Sequence, residues 1–352
     1  MKAWFPNHPP IYDISKTYLE NAEEGPFFNG SIPPRPQTKA QIDFLGHKLL
    51  SPLGVPAGPL LNAKWIALAG KLGFDVLTYK TIRSFAYPGH GLPNMIFVKP
   101  AGAHLAYALD APPTTMNALS VTNSFGMPSR SPDYLIEDIE KAKRSLSKGQ
   151  LLIVSIVGTP NRGVSFLDDF IRAASFAKEA GAEVIEANFS CPNVDRAEGI
   201  LYTDPETVQE YASVIAKVIH PIPLLLKFGE FSDPNRLKEV LIGAARGKAS
   251  GVCGINTISM KVLDSEGHPA LGPGREQGGV CGAAIRDRAL HFIRSAAQII
   301  RSEKLGLALL GCGGITAPEH FDEFLHSGAQ IAMTATGMMW DPFLAMRYHL
   351  AH

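Results

Sequence analysis

Ala182-Glu-Val-Ile-Glu-Ala-Asn-Phe-Ser-Cys-Pro-Asn-Val194 holds a strand and a candidate chemistry in one continuous stretch. Its first half, Ala182 to Asn188, is a short apolar run with β-branched residues, the pattern of a buried strand. Its second half breaks into a polar loop that presents Asn188, Ser190, Cys191 and Asn193. Amide side chains offer paired donors and acceptors to a planar, amide-rich ligand, and a loop cysteine can act as base or nucleophile. A plain strand-ending turn is the competing reading, since Pro192 and Asn193 are ordinary turn residues.

Outward from this stretch the same unit repeats. Apolar runs that read as strands are Leu53–Ala57, Asp75–Ile82, Leu151–Val157, Glu183–Asn188, Leu224–Phe228, Val252–Ile258, Leu307–Leu310 and Gln330–Thr334. Helical periods lie between them at Ala63–Leu72, Pro132–Ser147, 165–180, 204–219, 234–246, 284–302 and 317–327. Ser131-Pro132 supplies an N-cap and a first-turn proline, and Gly181, Gly247 and Gly328 stand where helices end. An eight-fold alternation of strand and helix over this length predicts an α/β fold of the TIM (β/α)8 type. A doubly wound open sheet is the alternative, but Gly58-Pro-Leu-Leu follows the first strand where that fold would carry a GxGxxG turn.

Composition bounds what such a barrel can do. The 352 residues are 45% hydrophobic and 19% charged, enough apolar material for a large core. Lys+Arg and Asp+Glu are both 33, giving a formal net charge of zero, so no basic stripe recommends nucleic acid. The four cysteines, Cys191, Cys253, Cys281 and Cys312, are far apart and show no CxxC spacing. Free thiols in a reducing cytoplasm are expected, with no metal site built from this chain. The N-terminus lacks the apolar core of a signal peptide, and no run of about 18 apolar residues is present to span a bilayer. Residues 1–50, with Pro33, Pro34 and Pro36, read as an extended arm, and residues 51–352 as the barrel.

A TIM barrel gathers reactive groups at the C-terminal ends of its strands and often binds phosphate after strands seven and eight. Strand seven here ends in Gly311-Cys-Gly-Gly-Ile315 and strand eight in Thr334-Ala-Thr-Gly337, loops that expose main-chain N–H groups before helices. Tight turns that need glycine in any case are the alternative. Strand two ends at Lys80-Thr81, strand five at Lys227 and strand six at Asn256-Thr257. A lysine above layers of apolar side chains is costly to bury unless an anion or cofactor meets it, so two point to a charged ligand across the mouth. Arg83–Arg130 and Ser259–Gly282 are too long for simple connections and are expected to cover that face, Asp264–His268 forming a hairpin turn.

From about Leu53 to Pro342 the chain resembles the dihydroorotate dehydrogenases, FMN-dependent TIM barrels. The matching residues are Pro56-Ala-Gly, Tyr79-Lys-Thr, Asn123-Ser-Phe-Gly-Met-Pro, Asn188-Phe-Ser-Cys-Pro-Asn193, Leu226-Lys227, Ile255-Asn-Thr257, Gly278-Gly-Val-Cys-Gly282 and Gly311-Cys-Gly-Gly-Ile315. The glycine motifs are weak singly, whereas the Ser-Cys-Pro-Asn loop in order with both lysines and Asn-Thr is specific. Cysteine at position 191 is similar to the soluble class, where other branches carry serine and a membrane-associating N-terminal helix. The chain also resembles the pyrimidine-reducing domain of dihydropyrimidine dehydrogenase. It departs from the family at Gly58, at Asn94 and at Ser129.

The resemblance implies oxidation of dihydroorotate to orotate, with Cys191 as the base, Lys80 beside it, and FMN as hydride acceptor. It assigns the substrate to Lys80, Asn123, Phe125, Gly126, Met127, Asn188, Asn193, Asn256 and Thr257. It assigns FMN to Ala57, Gly58, Lys80, Thr81, Ser155, Asn188, Lys227, Ile255, Gly282, Gly313, Gly314, Thr334 and Ala335, with Lys227 toward the N1–C2=O side of the ring. It implies a soluble electron acceptor or an electron-transfer partner subunit, and a homodimer, with no metal, nucleic acid or membrane. Competing readings are a dehydrogenase or reductase of a uracil- or thymine-like dihydropyrimidine, a flavin-binding barrel without turnover, and a Schiff-base aldolase using Lys80 or Lys227.

Overall fold

Short apolar segments without polar alternation can be buried on both faces, and eight of them here close on one another. The computed structural model describes residues 4–6, 10–36, 42–160, 163–190 and 201–352. Cys191 and Asn193 therefore lie outside the described residues. The barrel strands are β1 (Leu53–Val55), β2 (Val76–Ile82), β3 (Leu151–Ile156), β4 (Val184–Asn188), β5 (Leu224–Lys227), β6 (Gly251–Gly254), β7 (Ala308–Cys312) and β8 (Ile331–Met333). Each pairs in parallel with its neighbours, and β8 pairs with β1 to close the ring. The eight-stranded barrel is thus as the sequence predicts.

Helices pack outside, and their starts follow local chemistry. Ser131 accepts from Tyr134 N ahead of Pro132, Asp204 from Thr207 N ahead of Pro205, and Asp233 from Asn235 N ahead of Pro234. In each case a side chain satisfies an orphan amide while proline fills a position that needs no donor.

The barrel interior is layered. Val76, Leu151, Ile153, Val184, Leu225, Leu310, Ile331 and Met333 form a dry plug closed from below by Phe44 and Leu49 of the hairpin Ile42–Phe44/His47–Leu49. Toward the C-terminal ends the inward positions turn polar, with Ser155, Glu186, Asn188 and Lys227 all buried. The pairing of β2 with β3 shifts register between Tyr79 and Ile82, so Lys80 and Thr81 oppose a single partner residue. Such a bulge re-aims side chains, and both reach the mouth.

One expected strand divides in two. The run Val252–Ile258 predicts a single strand, but β6 ends at Gly254, and Ile258 opens another strand, Ile258–Leu263, that belongs to a second sheet. Apolar continuity does not report which sheet a residue joins. That second sheet is itself a closed five-stranded barrel made by the two long insertions: Met95–Pro100, Leu105–Ala108, Ser120–Asn123, Ile258–Leu263 and Gln277–Gly282. It sits over the active face. Arg275 joins the insertions by donating to the carbonyls of Gly91, Leu92 and Pro93.

The N-terminal segment holds a seven-residue helix, Tyr18–Glu24, with a Thr17–Glu20 capping box. Trp4 stacks on Phe28, Ile11 N donates to Met339 O, and Asn62 Nδ2 donates to Ala22 O. Arg35 makes two 2.6 Å contacts with both oxygens of Asp75, which is fully buried and also accepts from Ser51. Removing one member of such a pair leaves a buried charge uncompensated. Arg35→Ala is expected to lower unfolding free energy by about 3 kcal/mol in denaturant titration, and Asp75→Asn in that background to restore part of it.

Candidate active site

Two connected cavities open at the C-terminal end of the barrel, sharing Ala57, Asn256, Thr257, Cys281, Ala335 and Thr336 in their walls. The larger is lined by Lys80, Thr81, Asn123, Phe125, Gly126, Met127 and Asn188, together with Gly58. The narrower is lined by Lys227, Ile255, Gly282, Gly313, Gly314 and Thr334. The expected site residues within the described chain converge on this mouth, with one at a remove. Ser155 lines neither cavity and lies beneath, its Oγ 3.0 Å from Thr81 Oγ1.

The amides in the larger cavity are linked. Asn256 Nδ2 lies 3.3 Å from Asn188 Oδ1 and also donates to the Ser190 carbonyl, while Asn188 Oδ1 accepts from Ser190 N at 3.2 Å. Asn123 Nδ2 donates to Gly279 O at 3.3 Å, across the cap. Ser190, the last described residue before the Cys191 loop, is further pinned by its Oγ donating to Lys227 O at 3.1 Å. The loop therefore departs from a fixed point beside the asparagines.

Supporting residues hold the Phe125–Pro128 wall. Met127 lies at φ +52, a conformation that non-glycine residues rarely adopt. The buried Arg83 holds it there, its Nε donating to Met127 O at 3.1 Å and its Nη1 bonding Thr159. Asn94 Nδ2 donates to His90 O, Gly91 O and Ser124 O, tying this wall to the preceding loop. The departure from the family at Asn94 thus supplies a structural brace.

Aromatic residues absent from the sequence reading complete the larger cavity. Tyr12 and Tyr18 come from the N-terminal segment, and Lys80 Nζ lies 5.9 Å over the Tyr18 ring. Burial pushes the hydroxyls of both tyrosines well above the ordinary range, so they stay neutral. The Tyr12 hydroxyl has no hydrogen-bond partner among the described residues. Proline-rich composition gave no signal that these rings reach the barrel mouth.

The narrower cavity collects main-chain donors. The amides of Gly313, Gly314, Ala335 and Thr336 make no hydrogen bond among the described residues. Thr334 differs from expectation: its amide donates to Gly54 O and its hydroxyl to Ile315 O, so it braces the loop instead of offering an N–H. His320 braces the other loop, its Nδ1 accepting from Thr316 N and Ala317 N. Gly314, at φ +83, passes so close to Arg286 that a Cβ would meet its backbone nitrogen at 2.7 Å. At Gly58, φ +146, a Cβ would meet nothing within 4 Å, leaving a flat open wall in the larger cavity.

Below the cavities, at the wall of the narrower one, sits a buried ionic cluster. Lys227 Nζ donates to Cys312 Sγ at 2.9 Å and to Cys253 Sγ at 3.3 Å. Burial works against the ammonium, but the facing thiols and Glu186 outweigh it and raise Lys227 above the ordinary lysine range. A hydrogen bond from Cys253, with help from Lys227 against burial, brings Cys312 down to about 7. Burial pushes Cys253 well up, so it remains the thiol.

This donor set fits a flavin mononucleotide. Unclaimed amides at two loop ends suit a phosphate, a buried ammonium suits an electron-accepting ring, and the open Gly58 face admits a flat one.

Comparison with known proteins agrees with this geometry. A family model described as dihydroorotate dehydrogenase matches residues 39–348. A dihydroorotate dehydrogenase of Dictyostelium discoideum is 46% identical over 98% of this chain and 98% of its own. The dihydroorotate dehydrogenase A (fumarate) of Limosilactobacillus reuteri is 32% identical over 50% of this chain and 54% of its own. A dihydroorotate dehydrogenase (quinone) of Pseudoalteromonas translucida is 24% identical over 85% of this chain and 82% of its own. With a matching model across nearly its whole length and a relative this similar end to end, the chain belongs to the dihydroorotate dehydrogenase family, whose members are flavoproteins.

Proposed function

We propose that this protein oxidises dihydroorotate to orotate with FMN as its bound hydride acceptor. The observation that carries the reading is the union of an asparagine-lined cavity with a second one rimmed by unclaimed amides and walled by a buried lysine. When bound, FMN supplies the two-electron acceptor. The amides of Gly313, Gly314, Ala335 and Thr336 would hold its phosphate, and Gly58, Thr81 and Lys227 would face the ring.

The chain's own residues do the rest. Asn123, Asn188, Asn193 and Asn256 hydrogen-bond the amide edges of the pyrimidine, which presents both donors and acceptors. Lys80 lies beside them and answers the substrate carboxylate. Cys191 removes a proton from C5 as hydride leaves C6; an ordinary thiol ionises near about 8.5, and a nearby cation such as Lys80 would favour the thiolate. Phe125, Gly126 and Met127, held by Arg83, close over the ring and exclude water.

Reoxidation by a soluble acceptor or an electron-transfer subunit, in a cytoplasmic and homodimeric enzyme, belongs to the same reading. Among the described residues no helix is long and apolar enough to cross a membrane. Trp4, Phe5, Tyr12 and Tyr18 of the N-terminal segment are buried. Turnover should accordingly need neither detergent nor lipid, and quinone-dependent activity seen only with membranes would overturn this part.

Cys191→Ala separates proton removal from binding. The variant should keep its flavin and bind orotate within about tenfold of the parent, since one modest contact is lost. Stopped-flow reduction of the flavin by dihydroorotate should slow by about 10²–10⁴-fold, the range for losing a positioned base. Unchanged reduction would make the loop structural, and loss of flavin would make Cys191 a packing residue. Heat-denatured parent protein should release FMN; release of FAD, or of no chromophore, would contradict the phosphate assignment.

A further inference from the structure

Lys227, Cys253 and Cys312 end or nearly end three adjacent strands, and their inward side chains meet at one point below the two cavities. The pairing of β5 with β6 sets Lys227 opposite Cys253. The pairing of β6 with β7 sets Cys253 opposite Leu310, which leaves Cys312 one inward step higher. The two sulfurs are 3.9 Å apart, and Lys227 Nζ reaches both. Cys312 lines the narrower cavity together with Lys227. Neither thiol has a part in the proton and hydride chemistry above.

Cys312 is held between opposing demands. As a thiolate it accepts from Lys227 and from the Cys253 thiol. As a thiol it donates to the Ile255 carbonyl, 3.1 Å away. Lys227, Cys253 and Glu186 are the titratable groups that act on it. Glu186, one inward step below Asn188, has no hydrogen-bond partner for either carboxylate oxygen among the described residues. The contacts from Cys253 and Lys227 that favour the anion outweigh burial and Glu186, and they bring the ionisation of Cys312 down to about 7.

We propose that Cys312 is the counter-charge of Lys227 beneath the flavin site, so that the protonation state of this thiol sets how strongly Lys227 favours added negative charge on the flavin. Cys312 is a positioning residue: it acts through Lys227 and needs no contact with substrate. While it is protonated, the full ammonium charge faces the site. Once it is ionised, the pair is nearly neutral and electrons on the ring are less favoured. Cys253 remains the neutral donor that stabilises the ionised sulfur. The proposal rests on the flavin reading above.

The test is the midpoint potential of the bound flavin measured from pH 6 to pH 8, in the parent and in Cys312→Ser. The serine hydroxyl keeps a hydrogen bond to Lys227 but does not ionise in this range. Parent and variant should agree at pH 6. At pH 8 the reduced-to-oxidised ratio at fixed poise should be about tenfold higher in the variant, ~30 mV for a two-electron couple. A difference of equal size at both pH values, or none at pH 8, would overturn the proposal, because a packing role has no pH dependence.

A second measurement covers failure of the variant to fold and failure of the flavin reading. Cysteine 13Cβ shifts of the parent protein, titrated by NMR, should include a resonance from Cys312 that ionises near pH 7. It is assigned to Cys312 by its loss in Cys312→Ser, or by elimination with variants at Cys191, Cys253 and Cys281. A Cys312 that stays a thiol up to pH 9 contradicts the proposal whatever the flavin does. A protein that binds no flavin yet shows this ionisation contradicts the functional reading and leaves the Lys227–Cys312 pairing standing.

Discussion

A cation held inside a closed ring of apolar strands is the constraint on which the site depends. Lys227 is 5% exposed, and a charge so placed is tolerated only where other groups answer it. The two-residue period of the strands decides where those groups stand, because alternate side chains point inward and closure brings them together. Below lies the dry plug, where Val76, Leu151, Ile153, Val184, Leu225, Ile331 and Met333 are apolar, and its polar members Cys253 and Cys312 are the ones that meet the ammonium. Polar residues are therefore segregated into the upper layers, where Glu186, Cys253 and Cys312 face the lysine and Asn188 pairs beside it in register. In the proposed function an anionic, electron-accepting cofactor would complete the same balance.

Everything over that layer serves to make a closed room of it. The insertions pair with each other as a second small barrel and bring Asn123 and Met127 to the mouth from the far side. The N-terminal segment runs up the outside, anchored by Arg35 at the floor and by Ile11 near Met339 at the rim, and delivers Tyr12 and Tyr18. A site that transfers hydride profits from such exclusion of water, since weak electrostatic preferences grow in a dry cavity. The relatives named for fumarate and quinone belong to this same family.

How much of this was legible in the chain follows from the range of each interaction. The barrel strands show as apolar runs because parallel strands covered by helices are buried on both faces. The start of the helix at Pro132 shows because a Ser-Pro pair acts over a few residues. The cofactor loops show because open main-chain amides favour small residues. What did not show is what depends on distant partners. Cys253 and Cys312 are separated by 59 positions and look like isolated thiols until strand order makes them neighbours. The Val252–Ile258 run reads as one strand because hydrophobicity is blind to the change of sheet after Gly254. Tyr12 and Tyr18 sit in a proline-rich stretch, and their place at the mouth is set by tertiary contacts alone. Thr334 matched its expected position, while its amide went to Gly54.

The central claim is that this room is shaped for a dihydropyrimidine carrying a carboxylate and hands its hydride to a bound flavin. Anaerobic mixing of the purified protein with one equivalent of dihydroorotate tests it most directly, with flavin absorbance and orotate formation followed together. The account predicts bleaching with one orotate formed per flavin, and no bleaching on this timescale with dihydrouracil or dihydrothymine. Bleaching by dihydrouracil in preference to dihydroorotate, or no bleaching of a protein that holds its flavin, would contradict it.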